Sequence, residues 1–590
     1  MNRKFRLGKS VFFILCFVFI FGLFLEVIRS NYALTLGYKQ FQDSAASTEK
    51  EQAVSQSSFT EKPNFLLIYD EESQLSQSVT TNVEQTLTYM KKAFQTVPVQ
   101  SLTEAFDAYN TVIVNFEALE KFDDITKLDQ YVANGGTVLF TVRPAIDDAF
   151  IYLYRKLGIY EFGGFVTTAG IQVADNLWPN QQSMKIDGSF ITNSSLFVGL
   201  EERSNIYAQS SDDVPLLWNR NYKEGTFITF NGTMLDKKSA RGLLTSAISL
   251  VEDDFLYPIM NVKMSFIDGF PSEIPSGRNQ AIFEAYKKDI VGFYRDIWWP
   301  AIQKTAMDDE LSYTSGFMPV NDHKVNAPFS DGLLRQDFVK YVRELMKIDG
   351  ELALAGYNNV PLFVGENYWE SVDDIYQVLD NTDQFMDQSF PNYSIKTYYP
   401  PDLKISEEGL QAVQQVYPSI ENVVVDYAEQ ASEFKQENNW TYVPITSSGY
   451  SYSEQTEWVI ANAIYSIGVY AHQISPWEVL TSQASWEELA SNYETITKDI
   501  QEKYPWLRSM TSAEAGSTIK EFLATDVRIE QTDNGLSVAL SRDVDEFYFF
   551  LRTDKTVQTA KSYTVELVDP GVYLITAKQA TFEIRLEGSS

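Results

Sequence analysis

The sequence predicts a membrane-anchored chain with an α/β body: a parallel-sheet domain, then a (β/α) barrel, then a small β-sandwich. Three observations predict it. A cationic N-terminus precedes a long apolar run, apolar strands then alternate with helical segments over most of the chain, and from about Thr525 the hydrophobic period drops to two.

Length and composition bound the answer. At 590 residues the chain exceeds what one core can organise, and 44% hydrophobic with 14% aromatic residues is enough to fill several cores. The formal charge is −33, from 80 acidic and 47 basic residues. That charge repels phosphates and anionic head groups, which excludes a nucleic-acid partner and favours a cationic or neutral one.

Arg3, Lys4, Arg6 and Lys9 form a cytoplasmic basic tail over residues 1–10, before the apolar run Val11–Leu25, which Val27 and Ile28 extend past Glu26. Residues 11–28 are long enough for a single span with the cationic flank inside and the body outside. No small-x-small cleavage pattern precedes "RSNYALTLGYKQ", so an uncleaved signal-anchor is expected rather than a leader peptide. Cys16, the one cysteine, falls within that span, leaving the body without a disulfide or a thiol nucleophile. Residues 29–63, including "FQDSAASTEKEQAVSQSSFTEKP", read as a polar linker.

The first folded unit, 64–251, opens on the buried strand "NFLLIYD". "NTVIVNF" is a second strand, and "LDQYVANGGTVLFTV" is a helix closed by Gly135 and Gly136 before a third. That rhythm predicts a parallel sheet covered by helices. The helix–Gly–Gly–strand step resembles the class I glutamine amidotransferase-like fold, whose chemistry rests on a cysteine that this unit lacks, so a structural or binding role is expected. The second unit, 257–523, has strands at "VKMSFID", "LSYTSGF", "ELAL", "VVVDY", "YVPIT" and "IGVYAHQI" with helices between, the order of a barrel whose site lies at the C-terminal strand ends. From 525 to 590 the segments "LSVALS", "FYFFLRT", "YTVELV", "VYLITA" and "TFEIRLEG", with turns at Asn534–Gly535 and Pro570–Gly571, predict the sandwich.

Four stretches of the barrel carry a resemblance. "FIDGFPSEIP", "DGELALAGYNNVPL", "YYPP" and "GVYAHQISPWEVL" resemble, in order, the motifs of NodB-type polysaccharide deacetylases, and the layout is similar to the large extracellular (PelA-like) members associated with Pel-type biofilm exopolysaccharide loci. In that family two aspartates end the first strand, a His-Gly-Tyr-Asn-His-like motif and a Pro-Pro pair follow, and a late strand carries a histidine. The resemblance implies that Asp268 stands at the general-base position and His472 at the general-acid position, with Pro400 and Pro401 as the third motif. It also implies that Gly269, Ala355 and Asn359 stand where the family holds its three metal ligands. None of the three offers a strong ligand, so no cofactor is expected.

Each residue has a plainer reading. Asp268 either caps a loop or touches ligand; His472 is either a satisfied core histidine or a pocket residue; His323 in "VNDHKVN" reads as an exposed turn residue. Trp298, Trp299, Trp369 and Trp477 either stack on sugar rings or fill the core, Trp477 being the best sugar candidate beside Tyr357, the loop's one side chain able to act as an acid or base. Glu366 and Glu478 are the carboxylates available as substitute ligands. Three functions follow as expectations. The first is a catalytically inactive deacetylase homologue binding or organising an exopolysaccharide, with a cationic amino-sugar polymer and synthase or export proteins as partners. The second is an active hydrolase, either a deacetylase with an unorthodox metal site or a glycosidase using carboxylates such as Asp268 and Glu366. The third is a structural envelope protein.

Overall fold

The computed structural model describes residues 63–180, 184–188, 190–329, 335–428 and 433–588. The basic tail, the expected anchor at 11–28 and the linker up to residue 62 lie outside the described residues. Among the described residues no helix is long and apolar enough to cross a membrane.

The first sheet is mixed, which corrects the expectation of a parallel one. Its strands are β1 (Phe65–Tyr69), β2 (Phe94–Pro98), β3 (Thr111–Val114), β4 (Thr137–Phe140), β6 (Ile171–Val173), β7 (Lys185–Ile186), β9 (Asn205–Gln209), β10 (Pro215–Tyr222) and β11 (Gly225–Phe230). They run in the order β2-β1-β3-β4-β11-β10-β9-β6-β7. The half from β2 to β11 is parallel; β1, β3 and β4 within it are the short, buried, mostly apolar runs that such sheets need, and β2 is its partly exposed edge. The half beyond β11 is antiparallel and more polar. Between them β5 (Ile159–Ala169) and β8 (Thr192–Leu200) form a separate two-stranded ribbon.

The second unit builds a curled sheet from β13 (Val262–Ile267), β14 (Tyr313–Phe317), β15 (Glu351–Leu354), β16 (Thr397–Tyr398), β17 (Asn422–Val425), β18 (Lys435–Glu437), β19 (Trp440–Pro444), β20 (Ser447–Ser448), β21 (Val469–Ile474) and β22 (Arg508–Met510). All neighbours are parallel except β18 against β19. The segment 440–448 pairs with β17 at its start and with β21 at its end, so one stretch of chain joins the two edges and curls the sheet round. Val262, Met264, Phe266, Ala353, Tyr399, Val424, Val443 and Ala471 form the inner core, while Ile267, Tyr313, Phe317, Leu352 and Leu354 face the helices. The helix Ser512–Ala524 seats its start at the lower rim through the Ala513 N–H to the buried Glu351 carboxylate, 2.9 Å. The opposite, C-terminal strand ends carry the half-buried side chains of Asp268, Gln473 and Trp477, the end where barrels of this kind keep their chemistry.

Two four-stranded antiparallel sheets complete the body. One is β23 (Val527–Thr532), β24 (Gly535–Leu540), β29 (Thr581–Glu587) and β26 (Thr556–Val557). The other contains β25 (Phe547–Arg552), β28 (Val572–Ala577) and β27 (Tyr563–Asp569), and takes its edge strand, β12 (Phe255–Ile259), from ahead of the barrel. The expected sandwich at 525–590 therefore borrows a strand from far upstream. The first unit is joined to the barrel where helix Arg241–Ile248 crosses helix Glu454–Ile467. A Cβ at Gly242 would lie 2.5 Å from the Asn462 carbonyl oxygen, so only glycine allows that approach.

Candidate functional site at the barrel mouth

Asp268 follows Ile267 at the end of β13, on the inner side with Met264 and Phe266, and its backbone N–H donates to Ile474 O at 2.9 Å. Its carboxylate is half-buried and takes no hydrogen bond from the described residues. Burial, with a smaller push from the Asp402 carboxylate, raises its pKa from 3.8 to about 6. Such a carboxyl changes charge near neutral pH, which is what an acid–base group or a charge-reading contact needs.

Tyr399 and Gln473 stand beside it. Tyr399 is buried, its ring edge-on to Phe266 with centroids 5.5 Å apart, and its hydroxyl donates to the Gln473 side-chain oxygen at 2.5 Å. Burial, and then the Asp268 carboxylate, hold the phenol's pKa well above its usual value. Gln473 pairs in register with Phe266, so its side chain shares the inner face. Pro400 and Pro401 are buried behind this pair, and the exposed Asp402 beyond them has φ +54 and an ion pair with Lys404 at 3.1 Å.

Trp477 closes one wall. It is half-buried, tilted against Tyr294 at 5.8 Å, and its indole N–H is buried without a partner. Glu478, whose pKa is raised by burial against a compensating Tyr450 backbone N–H, lies over Gly449. A separate groove of about 680 Å³ runs outside the mouth, lined by Ile405, Glu407, Asp426, Trp440 and Tyr442 among others.

Other expected site residues lie elsewhere. His472 alternates with Gln473, so it faces the helices and not the mouth. Its Nε2–H donates to Gly449 O at 2.9 Å, Nδ1 lies 2.8 Å from Ser447 Oγ, and the ring is sandwiched between Tyr470 and Tyr493. This corrects its assignment to a general-acid position: burial lowers its pKa to about 4 and both nitrogens are occupied. Tyr357 is likewise in the outer layer, packed edge-on against Phe329 and Trp369 and not lining the mouth. Trp298, Trp299 and Trp369 are core residues, their indoles bonded to Tyr450, Glu344 and Pro361 respectively. His323 is an exposed turn residue with φ +55, and Glu366 is exposed.

The three positions that the motif resemblance sets against metal ligands do not fit a metal. Gly269 has φ +64, and a Cβ there would meet Met318 Cε at 2.8 Å and Trp477 Nε1 at 3.0 Å. Ala355 is a buried methyl at the end of β15, and Asn359 brings only an amide. Among the described residues no three His, Cys, Asp or Glu side chains converge as a metal group.

A profile of one protein family, described as an uncharacterised protein conserved in bacteria, matches residues 48–190 and 165–574. The chain belongs to this DUF2194 family. No curated protein is significantly similar to the chain in sequence. Among solved structures, Agd3, described as a novel carbohydrate deacetylase, superposes with a TM-score of 0.54 at 11% identity, over 89% of this chain and 99% of that one. The DUF2194 chain therefore has a carbohydrate-deacetylase-like fold over nearly its whole length. An exo-β-1,4-mannosidase from an Opitutaceae bacterium (TM-score 0.24, 12% identity, 32% of this chain and 36% of that one) matches too weakly to argue from. The same holds for a ThuA-like protein from Bacteroides uniformis (0.23, 14%, 35% and 95%).

Two mouth residues of this DUF2194 chain escaped the sequence reasoning. Tyr399 directly precedes the proline pair of "YYPP", and Gln473 directly follows His472. The signal that finds them is strand parity: Asp268, Phe266 and Met264 share a face, and so must the residue paired with Phe266.

Proposed function

We propose that this protein binds an exopolysaccharide at the barrel mouth without deacetylating it, and works at the outer face of the cell membrane, tethered by residues 11–28. The observation that supports the reading is a deacetylase-like fold whose mouth gathers no group of metal-binding side chains among the described residues, with Gly269, Ala355 and Asn359 at the positions that the motif resemblance aligns with metal ligands. A catalytic metal lowers the pKa of bound water from about 16 to about 7, worth roughly 12 kcal/mol of hydroxide formation. General acid–base help from Asp268 offers about 10²- to 10⁴-fold, far short of that. What remains useful is recognition: a half-buried carboxylate, a fixed amide and an indole wall, with the outer groove offering a path for further sugar units. Charge favours a cationic partner, and the motif resemblance implies which: a partly deacetylated amino-sugar polymer of the Pel type, supplied by synthase or export proteins.

A second reading is favoured by one observation. Burial, with a smaller push from Asp402, raises the Asp268 pKa to about 6, the range of a carboxyl acting in acid–base hydrolysis. One experiment separates them: incubate the full-length protein with a partly N-acetylated amino-sugar polymer and measure co-sedimentation, released acetate and new reducing ends. Binding without either product supports the first reading. Product formation that Asp268→Asn abolishes replaces it with the hydrolase.

A further inference from the structure

One polar pair at the mouth specifies more than general sugar binding. The Gln473 side-chain oxygen is taken by the Tyr399 hydroxyl, 2.5 Å away. Tyr399 is held in place, its ring against Phe266 and its backbone N–H on Leu354 O at 2.7 Å. That bond fixes the Gln473 amide with its oxygen toward the phenol and its amino group turned away, and no described residue accepts from that amino group. Asp268 stands on the adjacent strand, one pleat beyond the Phe266 that pairs with Gln473, and near enough to act on the same phenol. Two neighbouring strands thus present one donor and one acceptor.

We propose that Gln473, oriented by Tyr399, forms with Asp268 the specificity-determining pair of the mouth, and that this pair selects a sugar bearing a secondary amide over one bearing a free amine. The inference rests on the polysaccharide-binding reading above. A secondary amide offers a carbonyl to the Gln473 amino group and an N–H to the Asp268 carboxylate. An ammonium group has donors only: it satisfies Asp268 but leaves the Gln473 amino group facing another donor. In a partly deacetylated polymer, the acidic surface then attracts the charged units while the mouth seats an acetylated one.

The test is calorimetric titration of the full-length protein with the tetramers of N-acetylglucosamine and of glucosamine, at about 0.5 M salt so that surface attraction is screened. The unmodified protein is expected to bind the acetylated tetramer about tenfold more tightly. Gln473→Met should lose that preference, weakening the acetylated tetramer and, by removing the opposed donor, tightening the glucosamine tetramer. Gln473→Glu keeps an acceptor for Tyr399 but removes the donor, and should reverse the preference. Tyr399→Phe, which lets the amide turn over, should narrow it. Folded Gln473 and Tyr399 variants that keep the original preference overturn the inference and leave the binding reading standing. So does an unmodified protein that binds both tetramers equally. An unmodified protein that binds neither overturns both. Should Gln473→Met fail to fold, the Gln473→Glu and Tyr399→Phe titrations decide.

Discussion

Ser447 Oγ lies 2.8 Å from His472 Nδ1 across the paired strands β20 and β21. Because Nε2 donates to the Gly449 carbonyl, Nδ1 is the accepting nitrogen and the buried ring is neutral. The unfolded chain protonates this imidazole near 6.5 and the folded chain only near 4. The folded state therefore holds an advantage of about 3 kcal/mol above pH 6.5, which is lost as the pH falls to about 4. Urea unfolding of His472→Gln between pH 4 and 7 should show a flatter profile than the unmodified protein; an identical slope would mean that the ring is charged or exposed.

Asp268 acts in the opposite sense over a similar window. Its folded pKa of about 6 lies above the ordinary 3.8, so its favourable contribution is complete below pH 4 and is lost as the pH rises through 6. Asp268→Asn should be more stable than the unmodified protein at pH 7, by about 1 to 3 kcal/mol after allowing for partial exposure, and indistinguishable from it at pH 4. Thermal melts at the two pH values measure both differences.

Gly269 is held by its own backbone. At φ +64, with Met318 and Trp477 where a Cβ would sit, Gly269→Ala should lower stability by about 1 to 2 kcal/mol. The same crowding bears on rebuilding a metal site: Gly269→Asp, Ala355→His and Asn359→His together should take up zinc measurably in elemental analysis, but in a protein that melts earlier than the parent. One tightly held zinc per unmodified molecule would refute the non-catalytic reading.

Trp477 separates binding from folding. Its indole N–H is buried and unpaired, so Trp477→Phe should leave stability unchanged or slightly higher. Trp477→Ala should weaken oligosaccharide binding by about 1 to 3 kcal/mol, the range for loss of a stacking wall, without unfolding the protein. Unchanged affinity in the alanine variant would place Trp477 in the core.

Long-range attraction should follow salt. With a net charge of −33, retention on a deacetylated amino-sugar polymer should fall steeply between about 0.05 and 0.5 M salt, as the screening length shrinks below about 10 Å. Retention that ignores salt would remove surface charge from the account.

Most barrel strands were legible because they are short apolar runs bounded by turns, and the mouth could be placed at their ends. Which side chains reach the mouth was not. In "VYAHQI" both faces are buried, one by the inner core and one by helices, so hydrophobicity gives no alternation, and a one-residue shift in parity exchanges His472 for Gln473. Asp268 shared that ambiguity, since β13 is also buried on both faces, and the packing of Met264 and Phe266 with Ala353 and Tyr399 is what fixes its parity. The antiparallel half of the first sheet was illegible for another reason. Strands such as β9 and the β5/β8 ribbon carry exposed and polar residues, and only their partners reveal them as strands.

The pairing of β12 with β25 sets an order of events. Tyr257 is synthesised long before Phe550, the residue it must lie beside, so a nascent chain leaves a sticky edge waiting until a strand nearly three hundred residues downstream emerges. The body thus closes like a clasp. Truncations ending near Leu523, however sensible they look from the barrel alone, would release an unclasped strand and invite aggregation.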